Sequence, residues 1–108
     1  MKKIVVAIVV LGCMFVVTMA NPVSAISRSK AKADLKASLE KDYGSNYSTI
    51  EMLLNAGMEA YDGLCKVPDT TVNNNILRDL LKDYYPSFST IQMLYKANKD
   101  AHDRLNGQ

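Results

Sequence analysis

The feature that most constrains the fold is an internal repeat, in which residues 35–64 recur forty-one positions later as residues 76–105. Thirteen of the thirty aligned pairs are identical without a gap, whereas unrelated sequences of ordinary composition would share about two. The longest identical strings are Lys41-Asp42-Tyr43 with Lys82-Asp83-Tyr84, and Ser48-Thr49-Ile50 with Ser89-Thr90-Ile91. Such a duplication is typical of one supersecondary unit used twice.

The first copy has the pattern of a helical hairpin. Leu35, Leu39 and Tyr43 recur every four residues and indicate a helix from about Ser29 to Tyr43 with one apolar face. Gly44 then ends that helix. The second helix is predicted to begin at Ser48, which forms a capping box with Glu51, while the flanking Tyr47 and Met52 have the spacing of a hydrophobic staple.

The second copy repeats this design. A third helix is predicted from a cap at Asp69, Thr70 or Thr71 to about Tyr84, and a fourth from Ser89. The fourth helix is expected to turn one stripe inward, consisting of Ile91, Leu94, Asn98, Ala101 and Leu105. The prediction is an all-α fold of two tandem αα-hairpins, repeat 1 at about 29–66 and repeat 2 at about 70–106. Two copies are few for an open solenoid, so closure into a small four-helix bundle is favoured over an open pair that dimerises.

The first 25 residues are interpreted as a bacterial secretory signal. Lys2 and Lys3 precede an apolar run, and Val23-Ser24-Ala25 has the small-residue pattern of a cleavage site. Cleavage after Ala25 would leave one helical domain, residues 26–108, in the periplasm or outside the cell. Two alternatives tie the chain to a membrane: an uncleaved anchor and lipidation at Cys13.

The charge pattern argues against a nucleic-acid-binding protein. The formal net charge of +2 comes from Lys2 and Lys3, and the remaining acidic and basic residues balance and alternate along the chain. A nucleic-acid or anionic-membrane surface would need a basic patch, which the pattern does not contain.

Asp42 and Asp83 occupy the last turn of their predicted helices, where the helix dipole disfavours an anion. The favoured explanation is structural: each carboxylate accepts hydrogen bonds from turn N–H groups or from the next helix's Ser and Thr hydroxyls. The alternative is a polar site at the hairpin tips, shared with Tyr43 and Tyr84.

Cys65 is unpaired once Cys13 leaves with the signal. Three interpretations stay open: a small buried side chain, a disulfide-linked dimer, or a reactive or ligand-attaching thiol. Tyr61 lies one turn earlier on the same helix and belongs to the same candidate interface.

His102 is the only histidine, and Asn98 and Tyr95 lie on the same side of the fourth predicted helix. A hydrogen-bonded histidine at the edge of the core is favoured, because no second ligand or nucleophile stands at a defined spacing. No cofactor is predicted. Among the methionines, Met58 is the one expected to be exposed, since Met52 and Met93 are assigned to staples.

The string Asp-Tyr, three residues, aromatic-Ser-Thr-Ile, x-Met-Leu and Ala-x3-Ala resembles a short helical-hairpin motif of small exported bacterial proteins of unknown function. The resemblance implies fold and export, and no activity. The sequence therefore predicts a non-enzymatic, exported interaction module that binds a protein or envelope partner or self-associates. The alternative is a carrier of a small ligand, haem or metal on the fourth-helix face.

Overall fold

The computed structural model describes residues 20–107, which form four α-helices and no strand. These are α1 (Arg28–Tyr43), α2 (Tyr47–Cys65), α3 (Thr71–Tyr84) and α4 (Phe88–Gly107). Helix α1 packs on α2 and α3 packs on α4, and the two hairpins meet through α2 and α4. The predicted all-α fold of two tandem hairpins in a small four-helix bundle is confirmed. The Lys2-Lys3 pair, the apolar run and Cys13 lie outside the described residues.

The helix starts follow from side-chain caps. Thr70, one of the three predicted caps of α3, accepts a hydrogen bond from the Asn73 N–H at 3.1 Å. Asn46 caps α2 by accepting from the Thr49 N–H at 3.4 Å. The predicted start at Ser48 is wrong by one residue, because Asn46 takes the capping position and draws Tyr47 into the first turn.

The predicted hydrophobic staples are also wrong. Tyr47 and Met52 are 71% and 62% exposed, and Met93 in the second copy is 63% exposed. Met58, predicted to be the exposed methionine, is only 4% exposed and lies in the core. Its burial reflects the second contact surface of α2, which faces α4 as well as α1.

The second half of α2 approaches the first half of α4 closely. An added Cβ on Gly63 would lie 2.8 Å from Nε2 of Gln92, which shows how closely the helices approach there. Leu64 on α2 is 1% exposed, whereas its repeat counterpart Leu105 on α4 is 78% exposed. The predicted inward stripe of α4 is therefore correct at Ile91 and wrong at Asn98 and Leu105.

The chain before α1 is part of the packed domain. Val23 has no exposed surface and belongs to the core, and Asn21 is 4% exposed. Asn21 donates from its amide to the main-chain oxygens of Leu64 and Val67 at 3.0 and 3.2 Å, so this segment lies against the end of α2. The packed domain thus begins five residues before the predicted boundary at Ile26.

Candidate functional site

The two hairpin tips share repeat positions and differ in environment. Tyr43 and Tyr47 correspond to Tyr84 and Phe88, whereas Tyr85 stands where the first copy has Gly44. The second tip, defined here as Tyr84, Tyr85 and Phe88, docks on the first hairpin through Tyr85 and Phe88, while Tyr84 is 42% exposed. Phe88 has no exposed surface, and its ring lies edge-on to Tyr61, with 5.2 Å between centroids and a 72° interplanar angle. A second edge-on contact, at 5.6 Å, joins Phe88 to Tyr85. Edge-to-face pairs of this kind add to the free energy gained by burial alone.

A side-chain hydrogen bond strengthens this docking. The Tyr85 hydroxyl donates to the Asp34 carboxylate on α1, which also forms an ion pair with Lys30 at 2.9 Å. The hydrogen bond from Tyr85, with that from Lys30, lowers the pKa of Asp34. Burial, followed by the neighbouring Asp34, raises the pKa of Tyr85. Both groups are therefore held in the protonation states that keep the contact at neutral pH.

The first tip, defined here as Tyr43, Tyr47 and Met52, has no such neighbour among the described residues. These side chains are 43%, 71% and 62% exposed. Tyr47 occupies the position of Phe88 in the repeat, so the same aromatic position is buried in one copy and exposed in the other. The first tip thus exposes three large side chains, whereas Phe88 in the second tip is buried.

A groove of about 480 Å³ lies beside the first tip, between α1 and α2. Its apolar lining comes from Tyr47, Ile50 and Leu54, and its charged lining from Lys36, Glu40 and Glu51. Apolar residues flanked by charges of both signs form a surface suited to a protein partner with its own mixed charges.

A smaller cavity of about 250 Å³ lies between the end of α1 and the start of α4, with α2 forming part of its wall. Its apolar lining includes Leu35, Leu53 and Gly57, while Asp42 and the hydroxyl groups of neighbouring serine and threonine residues supply polar atoms. Because this volume is below the roughly 300–1,000 Å³ of typical small-molecule sites, only a small ligand would fit.

Asp42 and Asp83 do not tie their hairpins shut. Both are exposed, and neither carboxylate forms a hydrogen bond or an ion pair with another residue between 20 and 107. The favoured structural explanation is therefore wrong within this range. Asp42 and Tyr43 do lie together beside the cavity at the first tip, whereas Asp83 and exposed Tyr84 lie on the other hairpin.

The side chains of Tyr95, Asn98 and His102, the residues of the predicted α4 site, share no hydrogen-bond partner within the described chain. Tyr95 donates to the Asn73 side chain at 3.1 Å, Asn98 is exposed, and Nδ1 of His102 lies 3.2 Å from Asp103. Within residues 20–107 there is no group of three or more His, Cys, Asp or Glu side chains able to hold a metal. The sequence did not identify Asn73 as the partner of Tyr95, because residues 73–75 are three consecutive asparagines and nothing distinguishes one from another.

Tyr61 and Cys65 belong to the interior more than to an interface. Tyr61 is 5% exposed, and its hydroxyl donates a hydrogen bond to the main-chain oxygen of Ile26. Burial, with a contribution from Cys65, raises the pKa of Tyr61 to about 12.

Cys65 is half-buried and forms no disulfide with the rest of the described chain. Burial raises the pKa of its thiol, which lowers the thiolate fraction and hence the reactivity at neutral pH. Dimerisation through Cys65 stays a prediction.

Comparison of the chain with protein-family models, curated proteins and solved structures found no match. Among the helices of residues 20–107, none is both long and apolar enough to cross a membrane.

Proposed function

We propose that this chain is an exported helical interaction module, which binds a protein or envelope partner through the first tip and the adjoining groove. The observation that carries the proposal is the contrast between Phe88, which is fully buried in a contact between hairpins, and its counterpart Tyr47, which is 71% exposed. The repeat supplies two aromatic docking positions, and the fold uses one of them internally.

The chemistry of the first tip suits a partner. Tyrosine and methionine supply large contact areas, the first with a rigid ring and the second with a flexible thioether. Both Tyr47 and Met52 are more than half exposed. The groove beside Tyr47 adds Ile50 and Leu54 as an apolar floor, with Lys36 and Glu51 available to set orientation. Binding would remove this apolar surface from water, at a gain of roughly 25 cal/mol per Å² before the costs of association.

Export rests on the sequence pattern of the first 25 residues. The balanced charge of the helical domain gives no reason to expect nucleic acid as the partner. A carrier function on the α4 face stays a prediction.

The test is a cross-linking pull-down from cell envelope extract, using the exported protein with a photoreactive phenylalanine analogue in place of Ser48, which lines the groove beside Tyr47. We expect a discrete cross-linked protein that mass spectrometry identifies, and at least ten-fold weaker capture after the double substitution Tyr47→Ala and Met52→Ala.

Met93→Ala is the matched control, because Met93 is the repeat counterpart of Met52 and is equally exposed, at 63%. It should leave capture unchanged. Equal loss with Met93→Ala, or full capture by the double variant, would show that the first tip is not the binding surface.

A further inference from the structure

The segment between the apolar run and α1 fixes where the domain starts. From its contacts we infer that the leader is removed after Ala20, and that Asn21 becomes the first residue of the processed protein. The inference rests on the export part of the proposed function, and it replaces Ala25 with Ala20 as the cleavage position.

Residues 21–26 fold as a compact turn whose side chains complete the domain. Val23 has no exposed surface and belongs to the same core cluster as Leu64 and Phe88. The Asn21 side chain accepts from the main-chain N–H groups of Val23 and Ser24, at 2.8 and 3.3 Å. The turn is closed by hydrogen bonds from Ala25 N to Asn21 O at 3.2 Å and from Ile26 N to Val23 O at 3.0 Å.

Asn21 also joins this turn to the end of α2. Its amide donates to the oxygens of Leu64 and Val67, carbonyl groups that lie at or just beyond the end of the helix. The final carbonyl groups of a helix lack partners within it, and a side-chain donor satisfies part of that need. Cleavage after Ala25 would discard this donor together with Val23, leaving a gap in the core. A leader is discarded after cleavage, so residues that complete the folded domain belong to the retained part.

A second cleavage pattern stands directly before the packed segment. Thr18-Met19-Ala20 follows the apolar run and places a small residue at the cleaved position and another two residues earlier. This is the arrangement that a signal peptidase accepts, and a 20-residue leader falls within the usual length of about 15–30 residues. Ala20 is exposed, so the bond after it lies at the surface of the domain.

Cleavage after Ala20 would create a positively charged amino group at a position that favours a cation. Water adds across the Ala20–Asn21 amide, the leader leaves with the Ala20 carboxylate, and Asn21 gains an α-amino group that is largely protonated at pH 7. The hydrogen bonds of Asn21 to Leu64 and Val67 place the new charge near the carboxyl end of α2. The helix dipole favours a cation there.

The test is the N-terminus of the exported protein. The full chain is expressed in a Gram-negative host, and the exported form is analysed by intact mass and N-terminal sequencing. We expect a chain that begins at Asn21. Ala20→Leu should raise the fraction of uncleaved precursor at least ten-fold, because leucine is too large for the cleaved position. Ala25→Leu is the matched control, since Ala25 is also exposed, and it should leave processing unchanged.

A mature chain that begins at Ile26, a block caused by Ala25→Leu, or an uncleaved wild-type chain would each overturn the inference. A start at Ile26, or a block caused by Ala25→Leu, would overturn the inference and leave both export and partner binding standing. An uncleaved chain that stays inside the cell would remove export as well, and assaying the envelope fraction distinguishes that case. Conversely, a first tip that captures nothing would leave the cleavage result unaffected.

Discussion

At the scale of single residues, Tyr61 shows how burial sets a protonation state. Its hydroxyl donates to Ile26 and its ring packs against Phe88, with 5% of the residue exposed. The pKa is raised to about 12 in the folded protein, whereas an unfolded tyrosine titrates near about 10. Since the unfolded chain releases this proton first, folding is disfavoured once the pH exceeds the unfolded value.

We therefore expect the contribution of Tyr61 to be fully present below about pH 10 and to be lost as the pH rises to about 12, at a cost of roughly 1–3 kcal/mol. The free energy of unfolding, measured with urea at several pH values, checks this. Tyr61→Phe should remove part of the fall in unfolding free energy at alkaline pH, while Tyr85, Tyr95 and Cys65, whose pKa values are also raised, supply further parts. An equally steep pH dependence in Tyr61→Phe would contradict the assignment.

The repeated aspartates make a second prediction at this scale. Asp83 is exposed and forms no hydrogen bond or ion pair within the described chain, so Asp83→Asn should change the melting temperature by no more than about 3 °C. Asp34→Ala is the contrasting variant, because Asp34 accepts hydrogen bonds from Tyr85 and Lys30. It should melt at a lower temperature, measured by circular dichroism. Equal effects of the two changes would argue against the assigned contacts.

At the scale of elements, the start of α2 depends on one cap. The Asn46 side chain accepts from the Thr49 N–H, and Ser48 lies within the first turn. Asn46→Ala should lower the free energy of unfolding by about 1 kcal/mol, the usual cost of losing a cap. Ser48→Ala should cost less than about 0.5 kcal/mol. Urea denaturation of the two variants is the measurement, and the reverse order would restore Ser48 as the cap.

Sequence periodicity predicted all four helices because the repeat supplies two versions of each pattern. It placed the ends of α1 and α3 at Tyr43 and Tyr84, as found. It missed the cap of α2 because Asn46 and Ser48 both suit that role, and local sequence alone does not rank them. The structure uses Asn46, whose backbone is non-helical at φ −81° and ψ 75° and whose side chain accepts from the Thr49 N–H in the first turn.

At the scale of the whole molecule, the candidate site was predictable only in part. Periodicity predicted that α1 ends at Tyr43, as found, but the surroundings of Asp42 and Tyr43 depend on how the hairpins pack. Tyr47 and Phe88 are both followed by Ser-Thr-Ile, so periodicity assigns them the same environment. The structure separates them, because one tip docks on the opposite hairpin and the other does not. The nearby difference is Tyr85, which contacts Asp34 and Phe88 and stands where the first copy has Gly44. Its partner Asp34 is distant in sequence, so periodicity does not predict the contact.

This asymmetry gives the most direct test of the assembled fold. Phe88 and Tyr47 are repeat counterparts at the first position of α4 and of α2, and an alanine at either site removes an aromatic ring. Phe88→Ala should lower the free energy of unfolding by about 3–5 kcal/mol, because it opens a cavity between the hairpins. Tyr47→Ala should change it by less than about 0.5 kcal/mol while weakening partner capture.

Urea denaturation followed by circular dichroism measures both variants. A fall of about 3–5 kcal/mol is a large part of the roughly 5–15 kcal/mol that stabilises a typical domain. The Phe88 variant should therefore unfold at much lower urea, whereas the Tyr47 variant should unfold with the wild type. Equal destabilisation would mean that both tips are buried in solution, and the first tip would then be covered by a second copy of the chain. Concentration dependence of the unfolding midpoint would reveal that association, since a contact between chains strengthens as the protein concentration rises.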